Sequence, residues 1–460
     1  MIRSALAAAL FATFTLCTPV SAQSTSQEAL DERYDRALAA GYKALFLCSA
    51  IANAERNGAT RTPESVMEWE LAGIQAPLDR LIGDLPFRIE RFGEEPEFIA
   101  GKLLYVAVDW AEDMPPRMAA HHYPGGCSLR PIGSDLTGIP FEEAAPNDAA
   151  SNVDWGGDDA RRAIPIAPEP AVYGENTRTT AVAIVKDGKL IGEHYAPGFD
   201  VAVPQRTWSV AKSIAATLVG TAVHGGEVDV TDLAGLAPKQ VDPRYAITID
   251  HLLRMASGRY SDTPGNRTDP LYFGGATVEE TAAHWPLLHQ PGTVYRYANN
   301  DTLMAVKAID DSFDSHPPAQ FFARLGMAHT VAETDWQGDY VLSSQVWSTA
   351  RDLALFGQLY LDDGVLPDGT RVLPEGWVDY VSAPSGPQPD GPFGYGAGFW
   401  LMNTSEGIPP DTIAAMGNRG QYVVIVPSRN IVIVRRGEDP VGARFDIAAF
   451  TRDTLEKLRN

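Results

Sequence analysis

The sequence predicts an α/β fold: an antiparallel sheet flanked by helices, joining the two ends of a large C-terminal region, with an α-helical lobe between. Three observations carry that reading. An apolar hairpin pattern opens the region at residues 180–195, and two apolar runs at 422–426 and 431–435 close it. Between them the apolar residues recur at helical spacing. At 460 residues, two or three domains of ordinary size are expected. Apolar residues make up 45% and charged residues 21%, a globular composition that excludes a disordered, collagenous or polytopic membrane chain.

Arg3 and the apolar run from Ala5 to Cys17, followed by Val20-Ser21-Ala22, have the order of a secretory signal peptide over residues 1–22. Pro19 ends the run short of the roughly 20 residues a membrane span needs. No later stretch reads as membrane-spanning, so an exported chain, periplasmic or secreted, is expected. Two cysteines then remain, Cys48 and Cys127. An even pair in an oxidising compartment favours a disulfide, with two buried thiols as the alternative because bridging depends on geometry. With 59 acidic against 37 basic residues the net charge is -22. That sign repels phosphate backbones, so nucleic acid and anionic lipid are poor partners.

Residues 23–130 read as an N-terminal accessory region. Leu30, Tyr34, Leu38, Leu45 and Phe46 mark an amphipathic helix over 27–57. Residues 131–170 are rich in Pro, Gly, Asp and Ala and read as a linker or wrapping loop. The main domain spans 171–460. Its hairpin turns on Asp187-Gly188, a pair suited to strand twist. A helix starts near Ser209 and stops at Gly225-Gly226. Another runs over 248–255, capped by Thr248 and closed by Gly258. A last helix covers 445–458.

Ser209-Val-Ala-Lys212 lies at the start of the first of these helices. Residues three apart share a helical face, roughly 5–6 Å between β-carbons, so the amine reaches the hydroxyl. The helix N-terminus favours the alkoxide, and apolar burial lowers the lysine pKa from about 10.4 toward a working base. With 22 serines and 8 lysines, chance yields roughly 0.4 such pairs, so alone the pattern is weak. Trp208 before it, and Ser213, Ala215, Ala216 and Gly220 after it, describe a packed helix rather than a solvated face. Tyr297-Ala-Asn299 adds a phenol, expected to be favoured as phenolate beside a cationic lysine, and an amide able to hold a carbonyl or bridge to the lysine. Gly417-Asn-Arg-Gly420-Gln421 leads into a strand, where the Gln421 N–H can serve as an oxyanion donor beside that of Ser209.

Taken in this order, the three motifs resemble the serine β-lactamase and penicillin-binding-protein superfamily. The likeness is to its class C-like branch, with 6-aminohexanoate-dimer hydrolases and carboxylesterases among its relatives. Further matching stretches are Leu252-Leu-Arg-Met-Ala-Ser-Gly258, Pro291-Gly-Thr-Val-Tyr-Arg-Tyr-Ala-Asn-Asn-Asp301, Ser348-Thr-Ala-Arg-Asp-Leu-Ala354, Leu373-Pro-Glu-Gly-Trp377 and Tyr395-Gly-Ala-Gly-Phe-Trp400. The resemblance covers about 171–458. It implies a two-lobed β-lactamase-like domain that needs no cofactor. Ser209 would be acylated, Lys212 and Tyr297 would move protons, and Asn299, Arg419, Gly420 and Gln421 would bind the substrate or its oxyanion. A small-molecule ester or amide is the implied substrate.

Where relatives carry Lys-Thr-Gly, this chain has Asn418-Arg419-Gly420, which weighs against efficient β-lactam hydrolysis. Tyr260 and Asp262 are lesser candidates for substrate contact, and loops around Trp208, Tyr260, Trp336 and Tyr395 are expected to shape the pocket. The competing readings are a D-peptide carboxypeptidase or β-lactamase on cell-wall material, and a slowly acylating penicillin-binding sensor. No Gly-x-Ser-x-Gly elbow occurs, and His121-His122 and His284/His289 lack metalloprotease spacing.

Overall fold

The computed structural model describes residues 25–137, 139, 141, 170–237, 240–261 and 268–458. The expected signal peptide, most of the expected linker, and Asp262 lie outside the described residues.

Helix α1 (Gln27–Arg56) starts on a Ser26 cap and runs for 30 residues. It differs from the amphipathic helix expected: from Leu38 to Ala54 every residue is buried. A helix apolar on all sides must be covered on all sides. Strands β1 (Phe87–Arg91), β2 (Leu103–Val108), β3 (Arg117–His122) and β4 (Gly126–Leu129) form an antiparallel sheet that packs on it, and the rest of the protein encloses it. Contrary to the reading of the sequence, α1 is long and apolar enough to cross a membrane by length and composition, yet its apolar window is 94% buried inside the protein. The Lys43 amine in its midst is satisfied by the carbonyls of Ile82, 2.9 Å, and Leu85, 2.7 Å. A disulfide joins Cys48 of α1 to Cys127 of β4, with Cα atoms 6.1 Å apart.

The second, seven-stranded sheet is antiparallel throughout and has the order β10 (Gly394–Tyr395), β11 (Trp400–Leu401), β12 (Ile413–Gly417), β13 (Gln421–Val426), β14 (Ile431–Gly437), β5 (Thr179–Lys186), β6 (Lys189–Tyr195). In a small third sheet the central strand β9 (Val346–Ser348) pairs on one side with β7 (Gln205–Arg206) and on the other with β8 (Val331–Ala332). Strands β5 and β6 turn on Asp187 and Gly188, both at positive φ, as a tight hairpin requires. Ile433 of β14 sits opposite Ile184 of β5, so the two ends of the domain meet mid-sheet. Alternation then sends side chains to two cores. Val182, Ile184, Val424 and Ile433 face Phe450 and Leu455 of the C-terminal helix (Ile447–Lys457). Ala183, Val185, Val423 and Val432 face the main core.

That core holds helix α2 (Val210–His224), whose turns are almost wholly buried. Helix α3 (Asn299–Lys307) and short helices around it form the helical lobe, while helix α4 (Ala350–Leu361) backs the sheet. The helix expected over 248–255 ends at Leu253, short of Gly258, because Met255 takes a left-handed φ of 57°. The accessory region is continuous with this core: Phe46 packs 5.9 Å from Trp208 and 5.8 Å from Trp347, and Tyr42 packs 4.4 Å from Phe273.

Candidate active site

Arg206 pairs with Trp347 across β7 and β9, and two residues later the chain must enter α2. It does so through Trp208, held at φ 50°, a conformation that costs a non-glycine residue on the order of 1 kcal/mol or more. The Arg206 guanidinium, 4.1 Å from the Trp208 ring centroid, and Phe46 hold that residue in place. Ser209 already has helical angles and its hydroxyl does not cap the helix. No backbone carbonyl among the described residues accepts its N–H. Neither the N–H nor the hydroxyl of the serine is thus committed to the helix backbone.

One turn on, the Lys212 amine is 3.3 Å from Ser209 Oγ, 2.6 Å from Asn299 Oδ1 and 2.9 Å from the Ser343 carbonyl. The side chain is buried. Burial, and secondarily the charge of Arg206, push its pKa down to about 7. The amine also lies 5.1 Å from the centre of the Tyr297 ring. Tyr297 is hydrogen-bonded to Ser209 and packed against Tyr395 and Trp400. Its burial drives the phenol far above its ordinary pKa despite the bond to Ser209. This corrects the phenolate expected from the sequence: a lysine that is itself easily neutral supplies no fixed charge to hold one. Asn299 opens α3, its oxygen receiving Lys212 and its Nδ2 3.4 Å from Thr268 Oγ1.

The C-terminal motif is placed differently from expectation. Arg419 is buried, with Nε 2.8 Å from Glu438 and the rest of the guanidinium donating to the carbonyls of Trp69, Ala72 and Gly73. Gly420 lies against Arg435 and Asp439, where no β-carbon would fit. The Gln421 side-chain carboxamide is bonded to Gly437 and Arg436, and its backbone pairs with Gly417 across the β12–β13 turn. None of the three lines the cleft over Ser209, because the tight turn between β12 and β13 points them away from it. Gly417 and Asn418, just before them, do line it. A β-carbon on Gly417 would strike the Thr207 carbonyl and sit 3.1 Å from the Ser209 nitrogen. The bare peptide edge at 417–418 therefore stands beside the Ser209 N–H, whereas Gln421 does not line the cleft.

The cleft has a volume of about 530 Å³. Trp208, Tyr272, Phe273, Phe393, Trp400, Tyr422 and Val441 give it aromatic and apolar walls; Gln75, Thr268, Asp269 and Ser344 add polar points. Tyr395 supports Tyr297 and Trp400 from behind. Tyr260 instead packs on Trp285, and neither it nor Trp336 lines the cleft. Sequence reasoning missed Ser343, Arg206 and Gln75. Ser343 acts through its carbonyl, which every residue has, and no side-chain pattern marks it. Arg206 precedes the serine motif by three residues and was visible as a charge in an apolar stretch.

A family model for beta-lactamases matches residues 169–452. Among curated proteins, the 6-aminohexanoate-dimer hydrolase of Paenarthrobacter ureafaciens is 24% identical over 305 residues, 58% of this chain and 74% of that protein. Penicillin-binding protein 4 of Amycolatopsis lactamdurans is 26% identical over 301 residues, 54% and 76% of the two chains. A solved Bacillus anthracis structure, described as a candidate 6-aminohexanoate-dimer hydrolase, superposes with a TM-score of 0.53 at 21% identity, covering 61% of this chain and 79% of its own. A match of that extent, on a chain with the same mixed α/β architecture, makes this protein a member of the beta-lactamase family and a serine hydrolase.

Proposed function

We propose that the protein is an exported hydrolase of small esters or amides that works through an acyl-enzyme on Ser209. The observation that carries this reading is the set of three acceptors around Lys212. As an ammonium it donates to Asn299, Ser343 and Ser209. As a neutral amine it keeps two of those bonds and turns its lone pair to the Ser209 hydroxyl, which is the geometry of a general base. Ser209 Oγ then attacks the substrate carbonyl and its proton passes to Lys212 Nζ. The oxyanion is met by the Ser209 N–H and the peptide edge at Gly417–Asn418. As the bond to the leaving group breaks, Tyr297, still a phenol, passes it a proton and is recharged from Lys212. Water attacks the acyl-enzyme by the same route in reverse, and Ser209 regains its hydrogen.

Burial of Arg419 leaves no cation at the place where relatives carry the lysine of Lys-Thr-Gly, which favours a neutral ester or amide over a β-lactam or a D-peptide carboxylate. The name of the Amycolatopsis relative keeps penicillin binding as a measurable alternative. Export is supported by the N-terminal pattern and by the disulfide.

The test is turnover and intact mass with p-nitrophenyl acetate, alongside Ser209→Ala. Sustained turnover lost in the variant is expected. A lasting adduct on Ser209 without turnover would assign the slow-acylating alternative, and neither adduct nor turnover would remove Ser209 as nucleophile. N-terminal sequencing of protein recovered from outside the cytoplasm is expected to begin at Gln23.

A further inference from the structure

Among the described residues lining the cleft, one lies outside the segment matched by the family: Gln75. Its loop is fixed from both sides. Leu71 and Ile74 are buried in the main core. The backbone is stitched to the C-terminal motif by Arg419, whose guanidinium takes the carbonyls of Trp69, Ala72 and Gly73, and by the Val441 N–H, 2.8 Å from the Gly73 carbonyl. The arginine that the sequence assigned to substrate binding thus anchors an accessory loop. That loop presents Gln75 to the cleft, half-buried, with no side-chain hydrogen bond to another described residue.

We propose that Gln75 is a specificity-determining residue, its carboxamide pairing with a neutral hydrogen-bonding group of the amide class that the substrate carries away from its scissile carbonyl. The inference rests on the serine hydrolase reading above and extends it to the acyl group. Two features of the cleft select this chemistry. Its walls at Trp208, Phe273, Phe393, Trp400 and Val441 fit an apolar or flat body, and the charged residues of its lining, Arg206 and Asp269, are of opposite sign, so it offers no net charge to select an ion. A carboxamide both donates and accepts, so it matches another amide in a way that a hydrocarbon of equal length cannot.

The experiment compares p-nitrophenyl 4-acetamidobutanoate with p-nitrophenyl heptanoate, acyl chains of equal length with and without an amide, in the full protein and in Gln75→Met. The expected result is a fall of about fivefold to tenfold in the ratio of kcat/KM between the two esters, the worth of one neutral hydrogen bond. An unchanged ratio, whether the two rates hold or fall together, overturns the assignment; a joint fall means that the side chain only supports the wall. Absence of turnover of any p-nitrophenyl ester by the unaltered protein would instead strike the hydrolase reading, so the two failures are distinguishable.

Discussion

At Lys212 burial does two things at once. It removes water that would stabilise the ammonium, and it aligns the amine with Ser209. With a pKa near 7 the base is neutral above that pH and protonated below it, so kcat/KM for a p-nitrophenyl ester is expected to rise with pH and reach half its plateau near pH 7. Arg206 contributes to that value. Its guanidinium is buried among Phe46, Trp208, Tyr272 and Phe273 and has no carboxylate partner within ion-pair distance among the described residues; Glu333 and Glu438 act on it from farther away. Removing the charge in Arg206→Met makes the ammonium easier to keep, so the acid limb is expected to move to higher pH, while Arg206→Lys holds it. A limb that stays put in Arg206→Met would dismiss this electrostatic role. Lys212→Ala is expected to lower kcat by about 100-fold or more without unfolding the protein, since it removes the base and not the fold. At this scale Ser209, Lys212, Tyr297 and Asn299 were legible because side-chain chemistry at short spacing survives without a structure.

At the scale of elements, α1 shows what one contact can carry. Glu333, directly after β8 of the small third sheet, accepts from Ser49 and Asn53 of α1, from the Cys127 N–H of β4 and from the Trp347 indole of β9. Glu333→Ala leaves those donors buried and unpaired, and a loss of about 3 kcal/mol or more is expected in denaturant unfolding. Burial pushes the Glu333 pKa up to about 7 against the pull of its four donors. The folded state therefore binds the proton more tightly than the unfolded chain, and this group's contribution falls as pH rises from about 4.5 to about 7. The stability gap between the native protein and Glu333→Ala should narrow across that window; a constant gap would refute the shift. The disulfide closes a separation of 79 residues, for which chain entropy gives about 4.5 kcal/mol. Reduction is expected to lower the melting temperature, and two thiols titrating in the native protein with no change in melting would show that no such bond forms in solution.

At the scale of the molecule, the accessory region and the hydrolase domain share a core instead of meeting at a surface. Phe46 lies on the strained residue before the nucleophile, Arg419 is sealed by carbonyls of residues 69–73, and Gln75 borders the cleft. A protein truncated to residues 171–460 would expose Trp208, Phe273 and Trp347 and leave the Arg419 guanidinium with Glu438 alone. It is expected to be insoluble or molten and to lose ester turnover; a truncated protein that is folded and fully active would show that the region is dispensable. Nothing in the spacing of residues 23–130 announced this, because contacts between segments far apart in the chain leave no periodic trace in either one.

Local features can be read from the chain alone. The Asp187-Gly188 hairpin, the buried helix after Ser209 and the two closing strands follow from propensity and spacing within a few residues, while the serine, lysine, tyrosine and asparagine of the site stood out through the order of three motifs and the family resemblance it carries. Where long side chains and bare backbone end up depends instead on contacts between distant segments. Arg419 went to Glu438 and the accessory loop because a buried guanidinium must find acceptors wherever they lie. The backbone at Gly417 lies beside Ser209 because only a residue without a β-carbon lets a strand come so close. The phenol of Tyr297 stays protonated because its own burial disfavours the phenolate.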